Sequence, residues 1–121
     1  MRRKILYVED HPDSAVLAQR FLASRGITVV MVIDGASALE RIREERPDLV
    51  LMDMQLPGVS GYEVTRQIKE DEELGRIPVI ALTAYALKGD REKTLAAGCD
   101  DYLSKPVDLD RLADVVQRFL R

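Results

Sequence analysis

Five short apolar runs, each followed by a stretch with helical spacing, constrain this chain more than any other feature. The runs are Ile5-Leu6-Tyr7-Val8, Thr28-Val29-Val30-Met31-Val32, Leu49-Val50-Leu51-Met52, Val79-Ile80-Ala81-Leu82 and the short Asp101-Tyr102-Leu103. Unbroken apolar runs of this length fit strands buried on both faces. The segments predicted as helices are 12–25, 36–45, 61–70, a stretch within 87–97, and one capped by Asp108 that carries Leu109, Leu112, Ala113, Val116 and Leu120. In the first helix, Leu17/Phe21 and Ala18/Leu22 are spaced for one buried face, and Gly26 stops it. In the second, Ala38, Leu39 and Ile42 face inward; Ser60 caps the third. Strict strand–helix alternation implies an α/β fold with a parallel sheet and helices on both faces.

With 121 residues and no linker or repeat, the chain is expected to form one domain over 1–121. Its 46% hydrophobic and 32% charged content is that of an ordinary soluble protein. A net charge of -3 and a pI near 5.2 argue against nucleic-acid or anionic-membrane partners. No apolar stretch approaches the roughly 20 residues a bilayer needs. Met1-Arg2-Arg3-Lys4 leads straight into a strand pattern rather than a signal-peptide core, so a cytoplasmic location is expected. The single Cys99 excludes an internal disulfide and a cysteine metal cage, and reads as a packing residue.

Chemistry gathers at the ends of the runs. Asp53 closes the third, just before Met54-Gln55-Leu56-Pro57-Gly58. A carboxylate there is costly to desolvate unless something compensates it. The first run ends in Glu9-Asp10, the fourth in Thr83-Ala84, and Lys105-Pro106 follows the fifth. Ligands of open parallel sheets bind beyond the carboxyl ends of the strands. Three acids and a hydroxyl converging there describe a hard-cation and phosphoryl site. Plainer readings stand beside this one. Glu9-Asp10 would also complement a helix dipole, and Thr83 would serve as a local cap. Tyr102 reads equally as a switch or as an ordinary strand aromatic. His11 reads as a rim residue without a catalytic role.

The four pieces in this order resemble the receiver domain of two-component response regulators, the CheY-like family, over about residues 4–120. Ile77-Pro78-Val79-Ile80-Ala81-Leu82-Thr83-Ala84-Tyr85-Ala86 and Gly98-Cys99-Asp100-Asp101-Tyr102-Leu103-Ser104-Lys105-Pro106 carry a closer similarity to single-domain DivK-type regulators and to hybrid-kinase receivers. The resemblance implies a doubly wound, flavodoxin-like (βα)5 three-layer sandwich with strand order 2-1-3-4-5. It implies that Asp53 accepts a phosphoryl group from a histidine kinase or histidine phosphotransfer protein. Mg2+ (or Mn2+) would be held by Glu9, Asp10, Asp53 and the backbone carbonyl of Gln55. Lys105 would contact the phosphoryl oxygens, through a loop whose Lys105-Pro106 peptide is cis. Thr83 and Tyr102 would form the switch, re-presenting the surface of the fourth helix, fifth strand and fifth helix to a downstream protein. Gln55 and Tyr85 would tune the lifetime of the acyl phosphate. Where many receivers carry two aspartates, this chain has Glu9-Asp10, so Glu9 would reach the metal through water.

The resemblance further implies a non-enzymatic phosphoacceptor with slow autodephosphorylation, monomeric or weakly dimeric. The end at Arg121 leaves no room for a DNA-binding output, so a stand-alone regulator is expected; a receiver cut from a hybrid kinase is the alternative. On the first helix, Val16, Gln19, Arg20 and Ala23 point away from the Leu17/Phe21 face and offer a docking patch for the kinase. Rival readings fare worse. A haloacid-dehalogenase-like phosphatase needs an acid where Gln55 stands, and a flavodoxin-like FMN binder needs a phosphate loop where Glu9-Asp10-His11-Pro12 would repel one. A degenerate receiver, acting only by protein contact, predicts missing site residues.

Overall fold

The computed structural model describes residues 3–84, 89 and 91–120. Its elements are β1 (Arg3–Val8), α1 (Pro12–Ala23), β2 (Ile27–Val32), α2 (Ala38–Glu45), β3 (Leu49–Asp53), α3 (Gly61–Glu70), β4 (Val79–Thr83), α4 (Arg91–Ala96), β5 (Asp101–Ser104) and α5 (Leu109–Phe119). The strands form one parallel sheet in the order β2-β1-β3-β4-β5. The expected fold class is therefore observed.

Two cores follow from strand alternation. Ile5, Tyr7, Leu49, Leu51, Ile80, Leu82 and Leu103 face α1 and α5, where Ala15, Ala18, Leu22, Leu112 and Val116 meet them. Leu6, Val8, Val50, Met52, Val79 and Ala81 face Ile42 of α2 and Val64 and Ile68 of α3. Each fully buried aliphatic side chain of this set contributes about 1.5–3 kcal/mol relative to exposure.

One expectation for α1 is corrected. Leu17 is 69% exposed and Phe21 only half-buried, while Ala15, Ala18 and Leu22 form the inner stripe. The helix rests on the sheet through two alanines, which permit closer approach than Leu17 would. Its outer face is shifted as well: Val16 and Gln19 are half-buried, whereas Arg20 and Ala23 are exposed.

Register is what positions the site. Val8 pairs with Met52, Asp53 with Leu82 and Thr83 with Ser104. Backbone bonds continue the ladders past the strand ends, from Glu9 N to Val32 O (2.9 Å) and from Lys105 N to Thr83 O (2.9 Å). Glu9, Asp53, Thr83 and Lys105 thus arrive at one edge, where the chain order reverses between β1 and β3.

Candidate functional site

Asp53 is 1% exposed, and its carboxylate is held from two sides. Oδ1 accepts the Gln55 backbone N–H at 3.0 Å, and Oδ2 lies 3.1 Å from Lys105 Nζ. The same ammonium donates to Glu9 Oε1 at 3.1 Å, and Glu9 is also 1% exposed. Lys105 therefore clamps the ends of β1 and β3 together.

The electrostatics separate the two acids. Burial pushes Glu9 up to about 7, with help from the facing Asp53, while Lys105 pulls the other way. Burial would also raise Asp53, but the hydrogen bond shared with Glu9, the Gln55 N–H and Lys105 outweigh it and hold this carboxyl below its ordinary value. Burial would lower the Lys105 ammonium; Asp53 and Glu9 overcome that and keep it charged. Near neutrality the site holds an ionised Asp53, a charged Lys105 and a Glu9 that readily shares a proton with it.

Asp10 is placed differently. Its Oδ1 is buried and accepts no hydrogen bond, although His11 Nδ1 stands 3.2 Å away. An unsatisfied buried carboxylate oxygen is costly unless a cation is meant to meet it. Ligand atoms of Glu9, Asp10 and His11 lie within 4.8 Å of one another. His11 is exposed, and its backbone N–H reaches Glu9 Oε2 only at 3.5 Å. The two carboxylates suit a hard cation without help from the ring.

Thr83, at the end of β4, is fully buried. Its hydroxyl oxygen accepts from Gln55 Nε2 at 3.2 Å, and Gln55 Oε1 accepts from the Ala84 N–H at 3.0 Å. The Lys105-Pro106 peptide is cis. Tyr102 is half-buried against the core on the α2/α3 side, with the Arg91 guanidinium 6.0 Å from its ring centroid. Tyr85 lies outside the described residues. A cavity of about 340 Å3 opens beside the clamp, lined by Tyr7, Glu9, Leu17, Lys105, Val107 and Leu109 among others.

Two contributions go beyond the sequence reading. One is a contact of Gln55, already expected to tune the acyl phosphate: its side chain ties the Asp53 loop to β4. The other is Gly61, at the start of α3 under the Ser60 cap. A Cβ there would meet Asp53 O at 2.5 Å and Met54 Cα at 2.8 Å, so only glycine lets the helix lie against the acceptor's own backbone. Its signal was present: glycine in a first helical turn is unfavourable without such a reason. Gly61→Ala is expected to destabilise the protein by about 2 kcal/mol, the usual cost of overpacking. Urea unfolding checks this, and a neutral or stabilising effect would show that the backbones can part freely.

Comparison with known proteins agrees with this geometry. The family description "response regulator receiver domain" matches residues 5–117. The polar-differentiation response regulator DivK of Brucella anthropi is 42% identical over 120 residues, covering 99% of this chain and 98% of that protein. The receiver domain of a sensor histidine kinase from Pseudomonas aeruginosa, solved with a magnesium ion in its active-site cleft, is 42% identical with a TM-score of 0.90, covering 99% of this chain and 98% of that one. A response regulator from Chloroflexus aurantiacus is 28% identical with a TM-score of 0.94, covering 99% and 98%.

Proposed function

The chain belongs to the response regulator receiver family of two-component signalling, whose members accept a phosphoryl group on an aspartate with Mg2+, and we propose that Asp53 is that acceptor here. One observation carries the reading: a buried carboxylate kept ionised by Lys105 and a backbone N–H, beside an acid oxygen that lacks any hydrogen bond. An Asp53 oxygen attacks the phosphorus of a phosphohistidine. The P–N bond breaks, the electron pair leaves with the imidazole, and an acyl phosphate forms. Gln55 N–H and Lys105 hold the acceptor oxygens in place, and Lys105 supplies positive charge where phosphoryl oxygens arrive.

The residues present fit Mg2+. Asp10, with its open oxygen, would hold the ion together with Asp53, the backbone carbonyl of Gln55 and Glu9, whose other partner is Lys105. When bound, the ion neutralises charge on the transferring group.

The 1–121 chain is read as a single receiver unit. Thr83 donates to the bound phosphoryl group and Tyr102 turns with it, changing the α4/β5/α5 face seen by a downstream protein. Gln55 and Tyr85 set the lifetime of the acyl phosphate, which the domain hydrolyses slowly without being an enzyme of turnover. The donor is a histidine kinase or phosphotransfer protein, docking on α1 beside the cavity where Leu17 is exposed. No helix among the described residues is long and apolar enough to cross a membrane. A receiver carried by a hybrid kinase is the second reading, supported by a 42% identity to a kinase receiver that equals the identity to DivK. A phosphotransfer profile against purified kinases and phosphotransfer proteins separates the two.

The test is incubation with acetyl phosphate. The expected result is a gain of one phosphoryl group, dependent on Mg2+, abolished by EDTA and mapped by peptide analysis to residue 53. Modification elsewhere, or none, would overturn the assignment and leave a contact module.

A further inference from the structure

The Gln55 carboxamide makes contacts that the acceptor chemistry alone does not require. Its backbone N–H holds Asp53 Oδ1 at 3.0 Å, while its side chain reaches across to β4. There Nε2 donates to Thr83 Oγ1 at 3.2 Å, and Oε1 accepts from Ala84 N at 3.0 Å. The orientation of the amide is fixed by chemistry: a backbone N–H can only donate, so the atom facing Ala84 is the oxygen. One residue therefore connects the acceptor carboxylate with the Thr83 hydroxyl and the Ala84 N–H at the tip of β4.

Thr83 is fully buried and β-branched, so its hydroxyl changes direction only by a rotamer change or a backbone shift. A rotamer change breaks the bond from Gln55 Nε2, and a backbone shift strains both carboxamide bonds. Resting on the reading of Asp53 as phosphoacceptor and Thr83 as its responder, we propose that the Gln55 side chain is a latch that holds the Thr83-Ala84 tip in its unphosphorylated position. The phosphoryl group must displace it, and the switched state is rarer at rest by the strength of these bonds. In this role the Gln55 side chain is a positioning group, acting through Thr83 on the resting population, apart from its part in the lifetime of the acyl phosphate. An apparent dissociation constant scales inversely with the competent fraction, so removing the latch tightens binding of any phosphoryl mimic.

Gln55→Met retains the length and bulk of the side chain but makes neither hydrogen bond; Gln55→Ala removes the side chain as well. Both are compared with the wild type by 15N amide spectra during titration with beryllofluoride and Mg2+. In both variants, before any beryllofluoride, the Ala84 resonance is expected part-way towards its position in the saturated wild type. Half-saturation should fall about fivefold, the effect of one net hydrogen bond. Variants whose Ala84 resonance coincides with that of the wild type, or whose half-saturation is unchanged or higher, overturn the latch while leaving the acceptor assignment intact. A wild type without an Asp53-dependent response overturns the acceptor assignment, and the latch with it.

Discussion

Asp53→Asn is expected to abolish phosphoryl uptake while leaving the fold in place. Asparagine is isosteric, and its Oδ1 still accepts the Gln55 N–H that orients the native side chain at 3.0 Å. What disappears is the nucleophile, since a neutral carboxamide does not displace at phosphorus. Its neighbours are poor substitutes. Glu9 is 1% exposed and clamped through Oε1 to Lys105, and it holds a proton up to about 7. Acetyl phosphate with Mg2+ should therefore leave the intact mass of the variant unchanged. Two further signs identify the cause. Asp53 is the second contributor to the raised Glu9 carboxyl, after burial, so that group should titrate lower in the variant but still above an ordinary glutamate. Carboxyl 13C shifts against pH report it. Mg2+ affinity should fall about 10- to 100-fold, since losing even an orienting partner of a ligand costs that much. Full modification of the variant would place the acceptor elsewhere.

Why the sequence revealed some of this and not the rest follows from particular residues. The strands were legible because runs such as Leu49-Val50-Leu51-Met52 have no polar face to confuse. The expected and observed bounds of α3 coincide because Ser60 caps it, accepting from Glu63 N at 3.3 Å. α2 starts two residues later than expected, at Ala38, because Asp34 Oδ1 takes the Ser37 N–H and hydroxyl and holds residues 34–37 in a turn. That helix ends on Arg46 at φ 46°, with no glycine to announce the stop. On α1, periodicity could not choose between neighbouring stripes, and the bulk of Leu17 pointed to the wrong one. At the site, the positions were legible because each lies at the end of a strand. The contacts were not. Nothing in the composition says that Lys105 reaches Glu9 as well as Asp53, or that Gln55 uses its side chain to hold Thr83. Those depend on sheet register, which aligns residues almost a hundred positions apart.

Lys105→Met is expected to cost the most stability, and its pH dependence carries the sign of the clamp. The ammonium lies 3.1 Å from both Glu9 Oε1 and Asp53 Oδ2. Removing it leaves two buried carboxyl groups facing each other with no counter-charge. Losing one partner of a buried ion pair costs about 3–5 kcal/mol, and the part-exposed lysine places this case near the lower end. Because Glu9 titrates at about 7 when folded, above its ordinary 4.5, the native state binds the extra proton between those values. The stability from that proton is complete below the unfolded value and is lost as pH rises through the folded one. Lys105 lowers the Glu9 carboxyl, so its removal moves that loss to higher pH and leaves the ionised pair without relief. The deficit of the variant should thus be small near pH 5 and reach about 3 kcal/mol by pH 8. Urea unfolding in EDTA at several pH values measures it; a deficit of equal size at every pH would reduce Lys105 to a packing residue. Adding Mg2+ should stabilise the variant more than the wild type, because the cation supplies the missing charge to the same carboxylates. Phosphoryl uptake from acetyl phosphate should slow about 10²- to 10³-fold, the effect of removing one preorganised donor. A variant that is equally stable yet slow would confine the lysine to the transferring group, whereas one that is unstable yet fast would confine it to the fold. The shared geometry of both ion pairs predicts that the two losses occur together.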